Sequence, residues 1–218
     1  MHKTKIIRNF ATPNHKRITM KEFLIAIMLM ALPMVASAQD NTWEKTQYNN
    51  GDQRYLVGAV PEVDGRVVFS TTINAPGKTA QQIYDLLLAD MKAITKESNQ
   101  TEQSHIAIED NEKMQIAGNY QEWLVFKNKP LSLDRTRFLY TIIADCKDGQ
   151  ANIKLTRIVY LYEEERDPQT YRAEEWITDR WGLNKKQDKL SRVSGKFRRK
   201  TIDRKDYLFN RFETLLTK

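Results

Sequence analysis

Between residues 66 and 75 apolar and polar positions alternate. Val67, Phe69, Thr71 and Ile73 fall on one side of an extended segment, and Asn74-Ala75-Pro76-Gly77 stops it. Tyr55 to Val60, just before it, is short, apolar and closed by Pro61, which predicts a first strand, with Val63-Asp64-Gly65 turning the chain between the two. The period then changes. Ile83, Leu86, Leu87, Met91 and Ile94 recur at helical spacing, and Lys96 follows where a cation suits the carbonyl end of a helix. Thr79 and Gln82 have the spacing of a capping box, in which two side chains satisfy two free N–H groups of the first turn.

Four extended segments follow. Ser104 to Ile108 is short and runs into the acidic turn Glu109-Asp110-Asn111-Glu112. Lys113 to Phe126 holds Met114, Ile116, Tyr120, Leu124 and Phe126 in phase, with Gly118 as a candidate bulge. After a turn at 128–130, Asp134 to Cys146 carries Phe138, Tyr140, Ile142, Ala144 and Cys146 on one side, and Lys147-Asp148-Gly149 reads as a hairpin turn. Asn152 to Tyr162 is apolar in both phases, which predicts a central strand covered on both faces or covered by a partner. Past an acidic break at 163–168, Ala173 to Trp181 and Asn184 to Val193 read as short helices. Thr201 reads as the N-cap of a terminal helix striped by Ile202, Phe209, Phe212, Leu215 and Leu216. Hairpin-linked strands with helices before and after them define an α+β class: a single domain over about 55–216, an antiparallel sheet packed on one face by α-helices.

The start of the chain has a different pattern. Lys21, the apolar run Phe23 to Leu32 and the triplet Ala36-Ser37-Ala38 are the parts of a secretory signal peptide. The run falls short of the roughly 20 residues of a membrane span, and Pro33 interrupts it. The expectation is therefore a signal peptide over 1–38, cleaved after Ala38, with 1–19 as an extension ahead of Met20 or a long n-region. A flexible polar leader over 39–54 follows, in which Trp43 is a candidate to dock on the domain. An exported protein, periplasmic or secreted, with no membrane span in its mature part, follows from that. No later run is long or apolar enough to cross a bilayer.

Export changes the meaning of the charge. The whole chain carries +7, but the first 38 residues hold six of its cations and one acid, so the remainder carries +2 and is no nucleic-acid signal. That remainder is uneven: residues 39–183 carry −6 and residues 184–218 carry +8, so the basic C-terminal part is expected to pair with the acidic body.

Candidate chemistry is sparse. His105 is the sole histidine after residue 38 and Cys146 the sole cysteine, so multi-histidine metal sites and a disulfide framework are excluded and no metal or cofactor is expected. His105 begins a strand and Cys146 falls in phase with core residues; a half-exposed histidine and a buried thiol are the plainer readings. The acidic clusters lack the alternating spacing of a calcium loop. The most distinctive segment runs from Ser194 to Asp203: Lys196, Arg198, Arg199 and Lys200 precede the predicted helix start, where free N–H groups attract anions. Those four are the candidate ligand-binding residues, against the alternative of a basic loop latched onto the acidic body. No P-loop spacing accompanies Gly195-Lys196.

The run Tyr55 to Phe69, then Ala75-Pro76-Gly77 and Ile83-Tyr84, resembles the opening of the domain of unknown function 4468 family, exported proteins found mainly in gut Bacteroidetes and described as having a fold like that of the TATA-binding protein. The resemblance covers roughly residues 55–145, with Gly195 to Asp203 also similar. It implies a curved antiparallel sheet packed on long helices and implies no activity. The sequence therefore reads as an envelope protein that binds a partner protein or a small ligand without catalysis. The alternatives are a carboxylate-based glycan hydrolase, or an anion or acidic-glycan binder acting through residues 196–200.

Overall fold

A computed structural model describes Asn41, Trp43 and residues 52–218 of the chain; the expected signal peptide and most of the expected leader lie outside the described residues. The strands are β1 (Glu62–Val63), β2 (Arg66–Asn74), β3 (His105–Asp110), β4 (Gln115–Lys129), β5 (Ser132–Lys147), β6 (Gln150–Tyr162) and β7 (Gln169–Arg172). The helices are α1 (Ala80–Ile94), α2 (Asp179–Gly182) and α3 (Gly195–Thr217), with 3₁₀ turns at Gln53–Tyr55 and Ala173–Glu175. The strands form one antiparallel sheet in the order β1-β2-β6-β5-β4-β3. β2 pairs with the first half of β6 and β7 with its second half.

Strand alternation assigns the two faces. Val67, Phe69 and Ile73 of β2, Ile116, Tyr120 and Leu124 of β4, Phe138, Tyr140 and Ile142 of β5, and Ile153, Leu155 and Tyr160 of β6 are all buried on one side. α1 and α3 cover that side with Ile83, Leu87, Met91, Ile94, Phe197, Ile202, Leu208, Phe212 and Leu216. The other face of the sheet is open. The antiparallel α+β architecture follows the sequence pattern, and so does α1: both bonds of the Thr79–Gln82 capping box are made.

The departures have local causes. Tyr55 to Val60 is not a strand. Asp52 caps a 3₁₀ turn by accepting from the N–H of Arg54, and Gly58 turns the chain at a φ of 82° while donating its N–H to Asp179. The double apolar phase of Asn152 to Tyr162 reflects a bulge rather than two covered faces. The β5–β6 register shifts between Leu139↔Val159 and Thr141↔Thr156, and Arg157 takes a φ of 55°. One extra residue flips the phase, so Ile153 and Leu155 before the bulge and Ile158 and Tyr160 after it face the same helices. Gly118 does lie at a bulge, but the extra residue is in the neighbouring strand: β3 pairs Ile106 with Gly118 and Ile108 with Ala117, while Gly118 stays in register with Ile142 of β5. An added Cβ there would lie 2.6–2.8 Å from the hydroxyl and ring edge of Tyr120, which cross the space it leaves.

The segment after the sheet also differs. β7 was unforeseen. Ala173 to Trp181 splits into a 3₁₀ turn and the short α2, and 184–193 is a turn because the Asn184 side chain accepts from the N–H groups of Asp188 and Lys189, in competition with a helix. α3 starts at Gly195, six residues before Thr201, with Ser194 donating its hydroxyl to the Trp181 carbonyl. Gly195 lets the helix start press on Leu190, whose Cβ would lie 2.8 Å from an added side chain.

Candidate functional site

The four basic residues singled out in the sequence therefore lie inside the first two turns of α3, not ahead of a helix N-terminus at Thr201. Lys196 donates to Asp134 at 2.7 Å and to the Tyr162 hydroxyl at 2.9 Å, above the rings of Phe126 and Tyr162. Arg198 is 0 % exposed and donates to the carbonyls of Tyr55, Leu56 and Ile177 and to the Asp179 carboxylate. Burial pulls its guanidinium below the usual range, against the pull of Asp179. Arg199 faces Asp203 one turn on, Lys200 is buried, and all four side chains are engaged within the chain. Arg198 ties the turn after residue 52 to α2 and to the start of α3, which is latch geometry. Its acidic partner is Asp179, and that of Lys196 is Asp134, not the run Glu163 to Asp167.

A second cluster sits deeper. Glu122, on the helix-facing side of β4, accepts from Nε and Nη2 of Arg204 at 2.8 and 2.7 Å, from Asn99 at 2.8 Å and from Gln100 at 2.6 Å. Both charged partners are 0 % exposed. Burial pushes the Glu122 carboxyl above its usual range, against the Arg204 charge. Burial also works against the Arg204 charge, but Glu122 and Glu97 more than offset it and hold the guanidinium above its usual range. With neither group open to solvent the pair binds α3 to the sheet and meets no ligand. Trp43 lies beside Arg204, 5.5 Å from ring to guanidinium, and the Asn41 amide makes a two-bond fork with the backbone of Val125. The cleft of about 530 Å³ that Trp43 shares with α3 is lined by Asp90, paired with Arg211, by Asp203, paired with Arg54 and accepting from the Tyr55 hydroxyl, and by Lys218.

His105 is exposed at the start of β3 with Nδ1 2.7 Å from the Gln103 carbonyl oxygen. Cys146 is buried, and burial followed by the charge of Asp145 pushes its thiol up to about 12. Among the described residues no group of three His, Cys, Asp or Glu could hold a metal ion. No helix among them is long and apolar enough to cross a membrane.

The open face of the sheet carries a different arrangement. Register places Trp123, Arg137, Leu161 and Thr170 in one row across β4, β5, β6 and β7, and Gln121, Leu139, Val159 and Arg172 in the next. Across these strands the open side carries Arg135, Arg137, Lys154, Arg157 and Arg172 against Asp145. A cleft of about 580 Å³ opens over the first row, and Asp134, Glu163, Glu164, Glu165 and Arg166 line it beside Arg135 and Arg137. Its centre is Trp123, with the Arg135 guanidinium 3.8 Å and the Arg137 guanidinium 5.7 Å from the ring. Arg137 is held by two bonds to Glu164, which keep it above its usual range. Arg135 has no carboxylate partner among the described residues; the indole alone holds it. The loop after α1 runs along the edge of β4 here, the backbone N–H of Trp123 donating to the Asn99 carbonyl at 2.9 Å.

In the sequence Trp123 is one of seven aromatics, with Trp176, Trp181, Tyr120, Tyr140, Tyr160 and Tyr162, that could line a groove for a glycan or a lipid, core packing being the plainer reading; Arg135 and Arg137 were not singled out, although a signal was present. Trp123 falls in the phase opposite Tyr120 and Leu124, and Arg135 and Arg137 fall in the phase opposite Phe138. A large aromatic on the polar side of one strand, with two arginines on the polar side of its hairpin partner, marks an exposed aromatic–cation site.

The comparisons with known proteins fit this geometry. A family model described as a domain of unknown function (DUF4468) with TBP-like fold matches residues 69–161. The structure of a DUF4468 family protein from Bacteroides ovatus ATCC 8483 is similar at 44% identity and a TM-score of 0.72, covering 78% of this chain and 96% of that one. The chain belongs to the DUF4468 family. A TBP-like protein from Parabacteroides distasonis ATCC 8503 shares the fold at 18% identity and a TM-score of 0.57, over 72% of this chain and 96% of that one. No curated protein matches. The DUF4468 assignment brings the TBP-like fold, an antiparallel sheet with helices on one side and the other side open, and brings no activity with it.

Proposed function

We propose that this DUF4468 protein is an exported, non-enzymatic binding module that receives an acidic glycan on the open face of its sheet, at the cleft of Trp123, Arg135 and Arg137. The observation that carries this reading is Arg135, a guanidinium stacked at 3.8 Å on an indole and left without a carboxylate partner among the described residues. A positioned, unpaired guanidinium suits a carboxylate or sulfate, and an aromatic body beside it suits the apolar face of a sugar ring. The cations at 196–200 are a poorer place for the same ligand, because an anion there would have to displace Asp134, Asp179 and Asp203 from contacts already made.

Isothermal titration of the chain with oligogalacturonate tests the reading. Binding that weakens with salt, and that falls about tenfold or more in Arg135→Ala and in Trp123→Ala, is the expected result. Binding unchanged in both variants, or absent in the parent, would overturn it. Export is checked separately by the N-terminus of the protein recovered from its own cells, expected at Gln39.

A further inference from the structure

Resting on that reading, we infer that the ligand is an extended oligosaccharide whose far end occupies a second cleft on the same face, built around Arg157. The bulge in β6 is what puts that side chain there. Opposite Tyr140 the strand spends two residues, Arg157 and Ile158, and Arg157 adopts a φ of 55°. Glycine or asparagine would take that conformation with less strain, and bulges re-aim side chains beside binding sites. The result is an exposed arginine over the open face, with no ion pair among the described residues. It borders a cleft of about 290 Å³ with Asn119, Gln121 and Thr141, floored by Leu139 and Val159.

The two clefts are neighbours. The row Gln121–Leu139–Val159 borders the second and the row Trp123–Arg137–Leu161 the first, and same-face rows are about 7 Å apart. From Arg135 to the bulge opposite Tyr140 is five residues of β5, about 17 Å. A single sugar touches one cleft; a chain of several units spans both. Between Arg135 and Arg157 the rows carry Trp123, Arg137, Leu139, Val159, Arg172 and the amide of Gln121, and the row beyond Arg157 adds the Asn119 amide and the Thr141 hydroxyl, which donates to the Asn119 amide oxygen at 2.9 Å. The two amides and the hydroxyl suit the hydroxyl groups of a sugar chain. A lipid tail would leave them unpaired, and a nucleic-acid strand would need a stacking surface for successive bases where this face offers Trp123.

The test is a length series: galacturonic acid and its oligomers titrated into the chain, with a single-stranded oligonucleotide of equal charge as comparison. The longer oligomers are expected to bind about tenfold tighter than the monomer or more. Arg157→Gly, which keeps the positive φ accessible, is expected to remove that gain and leave monomer binding intact. Gln121→Leu, which leaves the bulge untouched, is expected to reduce the same gain. Affinity independent of length, or a gain untouched by both variants, overturns the second cleft while the first stands. Equal or tighter binding of the oligonucleotide overturns the glycan as ligand class. No binding at any length overturns the proposed function itself.

Discussion

Two sets of arginines in this protein do opposite work. Arg198 and Arg204 on α3 are wholly buried and spend their donors on carbonyls and carboxylates of the same chain. Arg135 and Arg157 on the open face are stacked or exposed and have no carboxylate partner among the described residues. In the sequence the first set is conspicuous, because Arg198 sits in a dense basic run, and the second set is not. Local charge density is therefore a poor guide to where an anion binds. A cation's availability depends on what the fold places opposite it.

The largest effect that would break this comparison is the loss of a buried cation. Arg204→Ala leaves Glu122 in the core with its two amide donors and no countercharge, and is expected to cost about 3–5 kcal/mol in urea unfolding. The loss should depend on pH. Without Arg204, burial raises the Glu122 carboxyl further above its unfolded value, so the folded state holds the proton more tightly than the unfolded state does. Stability of the variant should fall as pH rises from the unfolded carboxyl range through the raised folded value. Adding Glu122→Gln should flatten that dependence and recover part of the loss. An Arg204→Ala variant as stable as the parent would remove Arg204 from the structural set.

An intermediate effect tests the surface on which α3 rests. Gly118→Ala places a methyl group against the Tyr120 ring, which stacks on Tyr140 at 5.2 Å and whose hydroxyl donates to the Met91 carbonyl. The ring must shift, and a loss of about 1–3 kcal/mol in the same unfolding assay is expected.

Much of the scaffold was readable from periodicity and much of the candidate site was not, for one physical reason. Strand alternation and the Thr79 capping box depend on neighbours within a few residues, so β2, α1 and the β5–β6 hairpin stand close to their predicted places. The bulge at Arg157 depends on the register of β6 against β5, and the partners of Arg198 lie 19 to 143 residues away. Local pattern cannot supply either. The same limit explains why Asn152 to Tyr162 read as a strand covered on both sides, and why Thr201 read as a helix start while α3 begins at Gly195.

The smallest expected effect on stability sharpens the comparison from the other side. Arg135→Ala removes a half-buried guanidinium that touches the Trp123 ring and no carboxylate among the described residues. Its cost in urea unfolding should stay within about 0.5 kcal/mol, the range of surface substitutions, while oligogalacturonate binding falls. Cys146 serves as an internal check that the variant is intact. With its thiol buried and pushed up to about 12, it should stay unmodified by thiol reagents at pH 8 in the parent and in Arg135→Ala alike, and react once either is unfolded. A variant that loses binding and also exposes Cys146 would place Arg135 among the structural arginines and erase the distinction. One that loses binding with Cys146 still protected assigns the open face a role separate from holding the fold together.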